Sequence, residues 1–381
     1  MEDFADIRPY NDEEVPAVIE RLLRDPEFLG AICRLRFKSL AGPLGWLLRP
    51  LVRRVLSREL AAVRDVAGVQ AVIESYMSRM IEESTAGFTV SGLEDLEPGH
   101  PYLFMSNHRD ITLDPAFTNY ALYHNGHDTV RIAIGDNLLT KPYVSDLMRL
   151  NKSFIVKRSA TGPRQILKAY RELSAYIRHS LLEERAPIWI AQREGRAKDG
   201  IDRTEPAIIK MLAMSQDKQS ESFAEYIAAL QIVPVSISYE LDPCDALKAA
   251  ELESLAREGS YEKSEHEDVA SIATGIAGDK GHVHVSFGTP LGSGLDTPEA
   301  VAAELDRQVV ANYRLHDTNL YAWRRLNRDA PELPDWPVAE GGVGEAEFNR
   351  RIDAMPEACR AYALGIYANA INSKLQQDPE G

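Results

Sequence analysis

Between residues 88 and 290 the chain alternates short apolar runs with stretches of helical length, and this alternation restricts the fold more than any other feature. Tyr102 to Met105, Arg131 to Ile134, Phe154 to Val156, Pro187 to Ala191 and Ile232 to Ser238 are too short for helices and read as strands. Between them, Pro163 to Leu182 places Ile166, Tyr170, Leu173, Ile177 and Leu181 on one helical face, with Pro163 near the start. Val90 to Leu96 reads as a strand followed by a turn, and His282 to Phe287 alternates like a strand. The pattern predicts an α/β fold: a mixed central sheet flanked by helices, with helical N-terminal and C-terminal extensions. Pro234 lacks an N–H and is expected at an edge or a strand end.

The expected organisation is a helical region over 1–87, an α/β domain over 88–328 with a polar helical insertion at about 243–280, and a linker with C-terminal helices over 329–381. Val15, Ile19, Leu22 and Leu23 recur at helical spacing near the start. Prolines 331, 334 and 337 and the following glycines mark the linker. Residues 37–54 are apolar, carry Trp46 and are locally basic; Gly42, Pro43 and Pro50 are expected to keep them from forming one long helix. Two readings of this stretch stand together: a surface patch lying on anionic lipid with Trp46 at headgroup level, and a helical pair packed on the main domain.

Acidic side chains outnumber basic ones 58 to 43, a net charge of -15, which argues against general nucleic-acid binding but leaves room for a local basic pocket. Cys33, Cys244 and Cys359 are odd in number and far apart, so neither a disulfide framework nor a zinc spacing is expected, and a reducing cytoplasm suits them. The acidic, polar start shows no signal peptide, and no apolar run reaches the roughly 18 residues that suggest a bilayer-spanning helix. The expected location is cytoplasmic, peripheral on the inner face of a membrane. His266, Glu267, Asp268, His282 and His284 have the residue types of metal ligands, but their spacing across an insertion is unconstrained and no metal is assigned.

Chemistry is concentrated at strand ends. The run 102–105 leads into Ser106-Asn107-His108-Arg109-Asp110-Ile111-Thr112-Leu113-Asp114-Pro115, and a helix is expected from about Pro115 to Tyr123. A histidine at the mouth of a strand, with carboxylates at 110 and 114, suits acid/base work: imidazole takes a proton from a hydroxyl near neutral pH, and a carboxylate holds its tautomer. Asp114 before Pro115 equally reads as a helix N-cap followed by a good first helical residue. After the strand at 154–156, Lys157 and Arg158 suit a phosphate or a solvated strand end. After the strand at 187–191, Gly195 permits close backbone approach, Arg193 and Arg196 suit a phosphate, and Glu194 suits orienting an arginine or a substrate hydroxyl; a charged surface turn is the other reading. Tyr239 and Glu240, at the end of the strand that begins Ile232-Val233-Pro234-Val235, are expected mainly to pack.

Together these four blocks resemble the glycerolipid acyltransferase family, which includes glycerol-3-phosphate and 1-acylglycerol-3-phosphate acyltransferases, over about residues 88–290. That family has Asn-His, four residues and Asp, then an arginine at a strand end, a Glu-Gly-Thr-Arg-like block and a Val-Pro-Val-like strand. Here five residues separate His108 from Asp114, and Glu194-Gly195-Arg196 is one residue shorter than its counterpart. Asp114 is aligned to the family carboxylate because Pro115 and the helix follow it; Asp110 is its rival. The phosphate-binding arginine corresponds to Arg196 or Arg193.

The resemblance implies that His108 is a general base oriented by Asp114. It implies that Arg158, Lys157 and the arginines of the third block bind an acceptor phosphate, and that Asn107, Glu194 and Gly195 help orient the substrate. The implied reaction moves a fatty acyl group from acyl-CoA or acyl-carrier protein to a glycerol phosphate or lysolipid hydroxyl in phospholipid synthesis. It needs no cofactor beyond the donor, and a membrane surface is the implied partner. Two other classes stay open on the same fold. One is a lipid- or acyl-CoA-binding protein without turnover; the other is a thioesterase or lipid esterase that uses water.

Overall fold

The apolar runs become strands in the computed structural model, which describes residues 4–37, 41–264, 267–329, 333–339 and 341–377. The strands are β1 (Gly87–Ser91), β2 (Leu103–Ser106), β3 (Arg131–Gly135), β4 (Ser153–Val156), β5 (Ile188–Ala191), β6 (Ile232–Tyr239) and β7 (His282–Phe287). The helices are α1 (Val15–Arg24), α2 (Pro26–Phe37), α3 (Ala41–Glu59), α4 (Val66–Ser84), α5 (Leu113–His124), α6 (Pro142–Leu150), α7 (Pro163–Leu182), α8 (Pro206–Leu212) and α9 (Phe223–Ala229). They continue with α10 (Asp245–Glu258), α11 (Glu267–Ala277), α12 (Pro298–Asn312), α13 (Asp317–Leu326), α14 (Glu345–Asp353) and α15 (Glu357–Gln377). The chain divides into two compact units, 1–77 with 131–176 and 78–130 with 177–381, and α4 and α7 run through the divisions.

In the larger unit the strands lie in the order β1-β7-β6-β2-β5. β2 runs parallel to both β5 and β6, with Met105 opposite Ile190 on one side and Pro234 on the other. β7 is antiparallel to β6 and parallel to β1, so the sheet is mixed. Both β2 and β6 are buried throughout, as expected of uncharged strands with neighbours on each side. Phe117 of α5 packs on Phe88 and Tyr239, while α10, α13, α14 and α15 close a second apolar cluster around Trp323, Phe348 and Tyr367. The polar stretch after residue 242 supplies α10 and α11; His266 lies outside the described residues, and among those described no group of His, Cys, Asp and Glu side chains could hold a metal ion.

Pro234 departs from expectation: β6 is an inner strand. Its ladder with β7 begins at Val235, so the missing N–H falls just past the last paired residue, and the Pro234 carbonyl accepts from Gly288 N at 2.8 Å. A proline is thus tolerated at the end of one ladder even though the strand has two neighbours.

In the smaller unit, β3 and β4 pair in parallel, and Val15, Val18, Ile19, Leu22, Phe28, Leu29, Val52, Leu56 and Leu150 form its core with other apolar side chains. Residues 37–54 also depart from expectation, because α3 runs unbroken from Ala41 to Glu59 with Pro50 inside it. Gly42 and Pro43 fall in the first turn, where the amide hydrogens have no intrahelical acceptor, so a proline costs little there. Residues 38–40 of that stretch, and 330–332 and 340 of the linker, lie outside the described residues.

Candidate active site

β2 ends at Ser106, and the next side chain fixes how the chain leaves the sheet. Asn107 is fully buried; its amide donates to Ile237 O at 3.0 Å and to Asp202 Oδ2 at 3.0 Å, and its oxygen accepts from Ile237 N at 2.8 Å. The amide therefore mimics a further rung of the β2–β6 ladder and presents His108 at the strand mouth. His108 packs edge-on against Trp189 of β5, with ring centroids 5.9 Å apart.

His108 Nδ1 lies 2.9 Å from Asp114 Oδ2. The same oxygen accepts from Arg109 N at 2.6 Å and Asp110 N at 2.9 Å, while Oδ1 accepts from the Tyr239 hydroxyl at 2.7 Å. Asp114 has no solvent exposure. A carboxylate accepting at Nδ1 fixes the tautomer with its proton on Nδ1, which leaves a lone pair on Nε2. Nε2 has no hydrogen-bond partner among the described residues. Burial and the charge of Asp114 hold the Tyr239 hydroxyl well above its ordinary pKa, so it remains a donor.

The two carboxylates have different places. Asp110 Oδ1 accepts from Thr112 N at 2.9 Å and Leu113 N at 2.8 Å, closing the turn that begins α5. Asp110 therefore satisfies amides at the start of the helix, and Asp114 is the second helical residue rather than the N-cap. The long spacing is accommodated by this turn: Asp110 folds the intervening residues back so that Asp114 still reaches the imidazole. Burial, followed by the negative charge of Asp114, pushes the Asp110 carboxyl above its ordinary pKa.

Arg109 points away from the imidazole. Its guanidinium bonds to Asp202 Oδ2 at 2.6 Å and Gly200 O at 3.1 Å and lies 5.4 Å from the centre of the Tyr313 ring. Burial opposes its charge, but Asp202 outweighs burial and raises its pKa above the ordinary value. From the other side, the buried Lys248 of α10 donates to Arg109 O at 2.7 Å and pairs with Asp242.

The loop after β5 is tied to the same place. Gln192 N donates to Ser106 O at 2.8 Å and Ala197 N donates to His108 O at 2.7 Å. Glu194 and Gly195 form its exposed tip, and Gly195 adopts a positive φ of 74°. Arg193 Nε stands 3.9 Å from Glu205 Oε1. Arg196 has no carboxylate partner among the described residues; Nη2 is 3.5 Å from Ser271 Oγ, and Nη1 is buried without a protein partner. Arg193 Nε is likewise buried without a hydrogen-bond partner, so both arginines keep a donor for an anion, and Arg196 is the one with no carboxylate near it among the described residues.

Lys157 and Arg158 belong to the smaller unit. Lys157 is engaged by Asp6 at 2.5 Å and Glu172 at 2.9 Å, so its charge is already matched twice. Arg158 is exposed, its side chain lies along Gly135, and its backbone N–H donates to Asp136 Oδ1 at 3.0 Å.

Sequence reasoning missed Tyr239 as a partner of Asp114, and Asp202 and Arg109 as the brace of the loop. Tyr239 ends the Val-Pro-Val-like strand, and counting alternate residues along β6 puts it on the same face as Val235 and Ile237. Nothing in the spacing of Asp202 signals its role.

Comparison with known proteins follows the same segment. The family model described as Acyltransferase matches residues 87–238. A glycerol-3-phosphate acyltransferase of Alteromonas mediterranea is 28% identical over 195 residues, which are 51% of this chain and 22% of that protein. A dihydroxyacetone phosphate acyltransferase of Bos taurus is 25% identical over 193 residues, which are 50% of this chain and 26% of that protein. The chain thus spans about a quarter of the length of these relatives. Among solved structures, the 1-acyl-sn-glycerophosphate acyltransferase of Thermotoga maritima aligns over 75% of this chain and 95% of its own at 14% identity, with a TM-score of 0.38. The match to the acyltransferase family model thus runs from the first residue of β1 to the last but one of β6, and it carries His108 and Asp114.

Proposed function

We propose that the protein moves a fatty acyl group from a thioester donor, acyl-CoA or acyl-carrier protein, to a hydroxyl of glycerol phosphate or a lysophosphatidic acid. The observation that carries this reading is the His108 ring, held through Nδ1 by Asp114 while Nε2 is left without a protein partner. Nε2 takes the proton of the acceptor hydroxyl as its oxygen attacks the thioester carbonyl. Asp114 stabilises the imidazolium that forms. The tetrahedral intermediate collapses with loss of the thiolate, which takes the proton back from Nε2. Asn107 holds the strand mouth in register, and Arg196, with Arg193 beside it, binds the acceptor phosphate. Both named relatives act on phosphate-bearing three-carbon acceptors by their descriptions, which supports an acceptor of that class.

We also place the protein on the cytoplasmic face of a membrane through α3. Trp46, Leu47 and Leu51 are 75%, 56% and 53% exposed, and Arg49, Arg53 and Arg54 line the shallow surface groove that includes Trp46. Among the described residues no helix is long and apolar enough to cross a bilayer. An exposed tryptophan among arginines favours an anionic interface.

The test of the reaction is purified protein with labelled acyl-CoA or acyl-carrier protein and a panel of glycerol 3-phosphate, dihydroxyacetone phosphate and lysophosphatidic acid, with products resolved by mass. Acyl ester formation that His108→Ala abolishes is expected. Wild-type turnover by that variant refutes the mechanism. Fatty acid release without an acceptor would indicate an esterase, and donor binding without product a carrier. Co-sedimentation with anionic vesicles that Trp46→Ala and Arg53→Ala leave unchanged would refute the membrane assignment.

A further inference from the structure

The strand pleat gives the larger unit a second concave surface on the face opposite Asp114. Tyr239 points to Asp114, so its neighbour Ser238 points the other way, and so does His284, which is paired with Ser238 across the β6–β7 ladder. On that face β1 and β7 floor a cavity of about 960 Å³, walled by the 311–314 and 336–339 segments and the end of α15. Leu315 bridges to Val338, and Ala339 N donates to Leu315 O at 2.7 Å, which fixes the two wall segments to each other.

The chemistry of this cavity is unlike that of the protein around it. The chain carries a net charge of -15, yet no carboxylate is among the described residues that line the cavity. Arg314 lines it and has no ion-pair partner among the described residues. Lys374 lines it too, with Nζ on the carbonyls of Val310 and Ala311 at 2.8 and 2.9 Å, at the C-terminal end of α12. The floor is a ladder of groups that donate or accept by rotating. Thr89 Oγ1 lies 2.7 Å from His284 Nδ1, Ser91 Oγ lies 3.0 Å from His284 Nε2, and Ser91 and Ser286 share a hydrogen bond of 2.7 Å. His282 Nδ1 is buried without a protein partner. Burial and the charge of Arg314 hold His284 down at about 4, so its ring stays neutral and able both to donate and to accept. The walls add Trp336 and Tyr313, flat apolar surfaces beside the charge.

We propose that this cavity binds a phosphoryl group, with Arg314 as its principal ligand and the Thr89–Ser91–Ser286 hydroxyls as secondary donors, at a site separate from the His108 centre. A guanidinium offers paired donors that match phosphate oxygens, and hydroxyls that rotate can turn their protons toward an anion. The group belongs either to inorganic phosphate or to a phosphate ester whose remaining part lies on the aromatic wall.

Isothermal titration of the full-length protein with inorganic phosphate and with adenosine monophosphate tests this. Saturable binding is expected in the wild type and in Arg196→Gln, weakened at least about tenfold in Arg314→Gln and partly restored in Arg314→Lys, since a hydrogen bond to a charged group contributes about 1.5–3 kcal/mol. Tighter binding of the nucleotide than of phosphate assigns the site to an ester; equal affinity assigns it to the free ion. Two results would overturn the proposal: no saturable binding of either probe, or binding that Arg196→Gln abolishes and Arg314→Gln leaves intact. Because the comparison is between a variant in the loop after β5 and one in the cavity wall, and the readout is binding, loss of this site would leave the acyl-transfer reading standing, and the reverse also holds.

Discussion

Asp114→Asn separates the charge of the carboxylate from its geometry. Three donors, His108 Nδ1, Arg109 N and Asp110 N, converge on Oδ2, so an asparagine must place its oxygen there; an amide NH₂ in that position would meet three N–H groups. The NH₂ then faces the Tyr239 hydroxyl, which can rotate to accept. The loop and the imidazole tautomer are kept, and only the negative charge behind Nδ1 is lost. A hydrogen bond to a charged group is worth about 1.5–3 kcal/mol. At about 1.4 kcal/mol per decade, that is a loss of roughly 10- to 150-fold in kcat. Asp110→Asn is the control. The Asp110 carboxylate accepts from Thr112 N and Leu113 N and has no bond to His108 among the described residues, and Asn caps a helix about as well as Asp, so kcat should stay within about threefold. Initial rates of labelled acyl transfer at saturating donor and acceptor, with thermal melts of both variants, give the comparison. If Asp110→Asn loses as much activity as Asp114→Asn, the assignment of the two carboxylates is wrong.

Tyr239→Phe leaves Asp114 Oδ1 buried without its donor and should cost about 1–3 kcal/mol of stability in urea unfolding, with a smaller kcat loss than Asp114→Asn. Arg196→Gln should raise the KM of a phosphate-bearing acceptor about tenfold with kcat little changed, whereas Lys157→Gln should barely move KM because Asp6 and Glu172 already match its charge. His316 is held at about 3 against its ordinary 6.5, mainly by burial. Its contribution to stability is full above pH 6.5 and is lost as pH falls below that value, because the unfolded chain takes up the proton first. In unfolding measured against pH, His316→Asn should therefore shallow the acid limb by up to about 1.4 kcal/mol per pH unit.

The strands were legible because uncharged runs of four to eight residues have few other uses, and β2, β5, β6 and β7 fall within a residue or two of the apolar runs. The contact between His108 and Asp114 was legible through Pro115, which falls in the first turn of α5; the turn made by Asp110, which absorbs the extra residue, was not. Pairings across long separations left no trace in local pattern. Asn107 and Arg109 meet Asp202 over 95 and 93 residues, and Asp114 meets Tyr239 over 125. Pro50 and Pro234 misled for different reasons: Pro234 sits where the β6–β7 ladder has ended, which tertiary pairing decides, whereas α3 continues past Pro50 without the one intrahelical hydrogen bond it removes. Lys157 read as a free cation because its partner Asp6 lies 151 residues earlier.

The Lys248 and Tyr313 contacts to Arg109 bear on modularity. The family match closes at residue 238, one position short of Tyr239 and well short of both. A fragment cut at that boundary would carry the histidine and its carboxylate but would lack the hydroxyl on Asp114, the ammonium under the Arg109 carbonyl and the ring beneath its guanidinium. The matched segment and its later buttress have therefore to be inherited together. Grafting this loop onto another protein that the same family model matches would transplant the reacting groups without the parts that aim them.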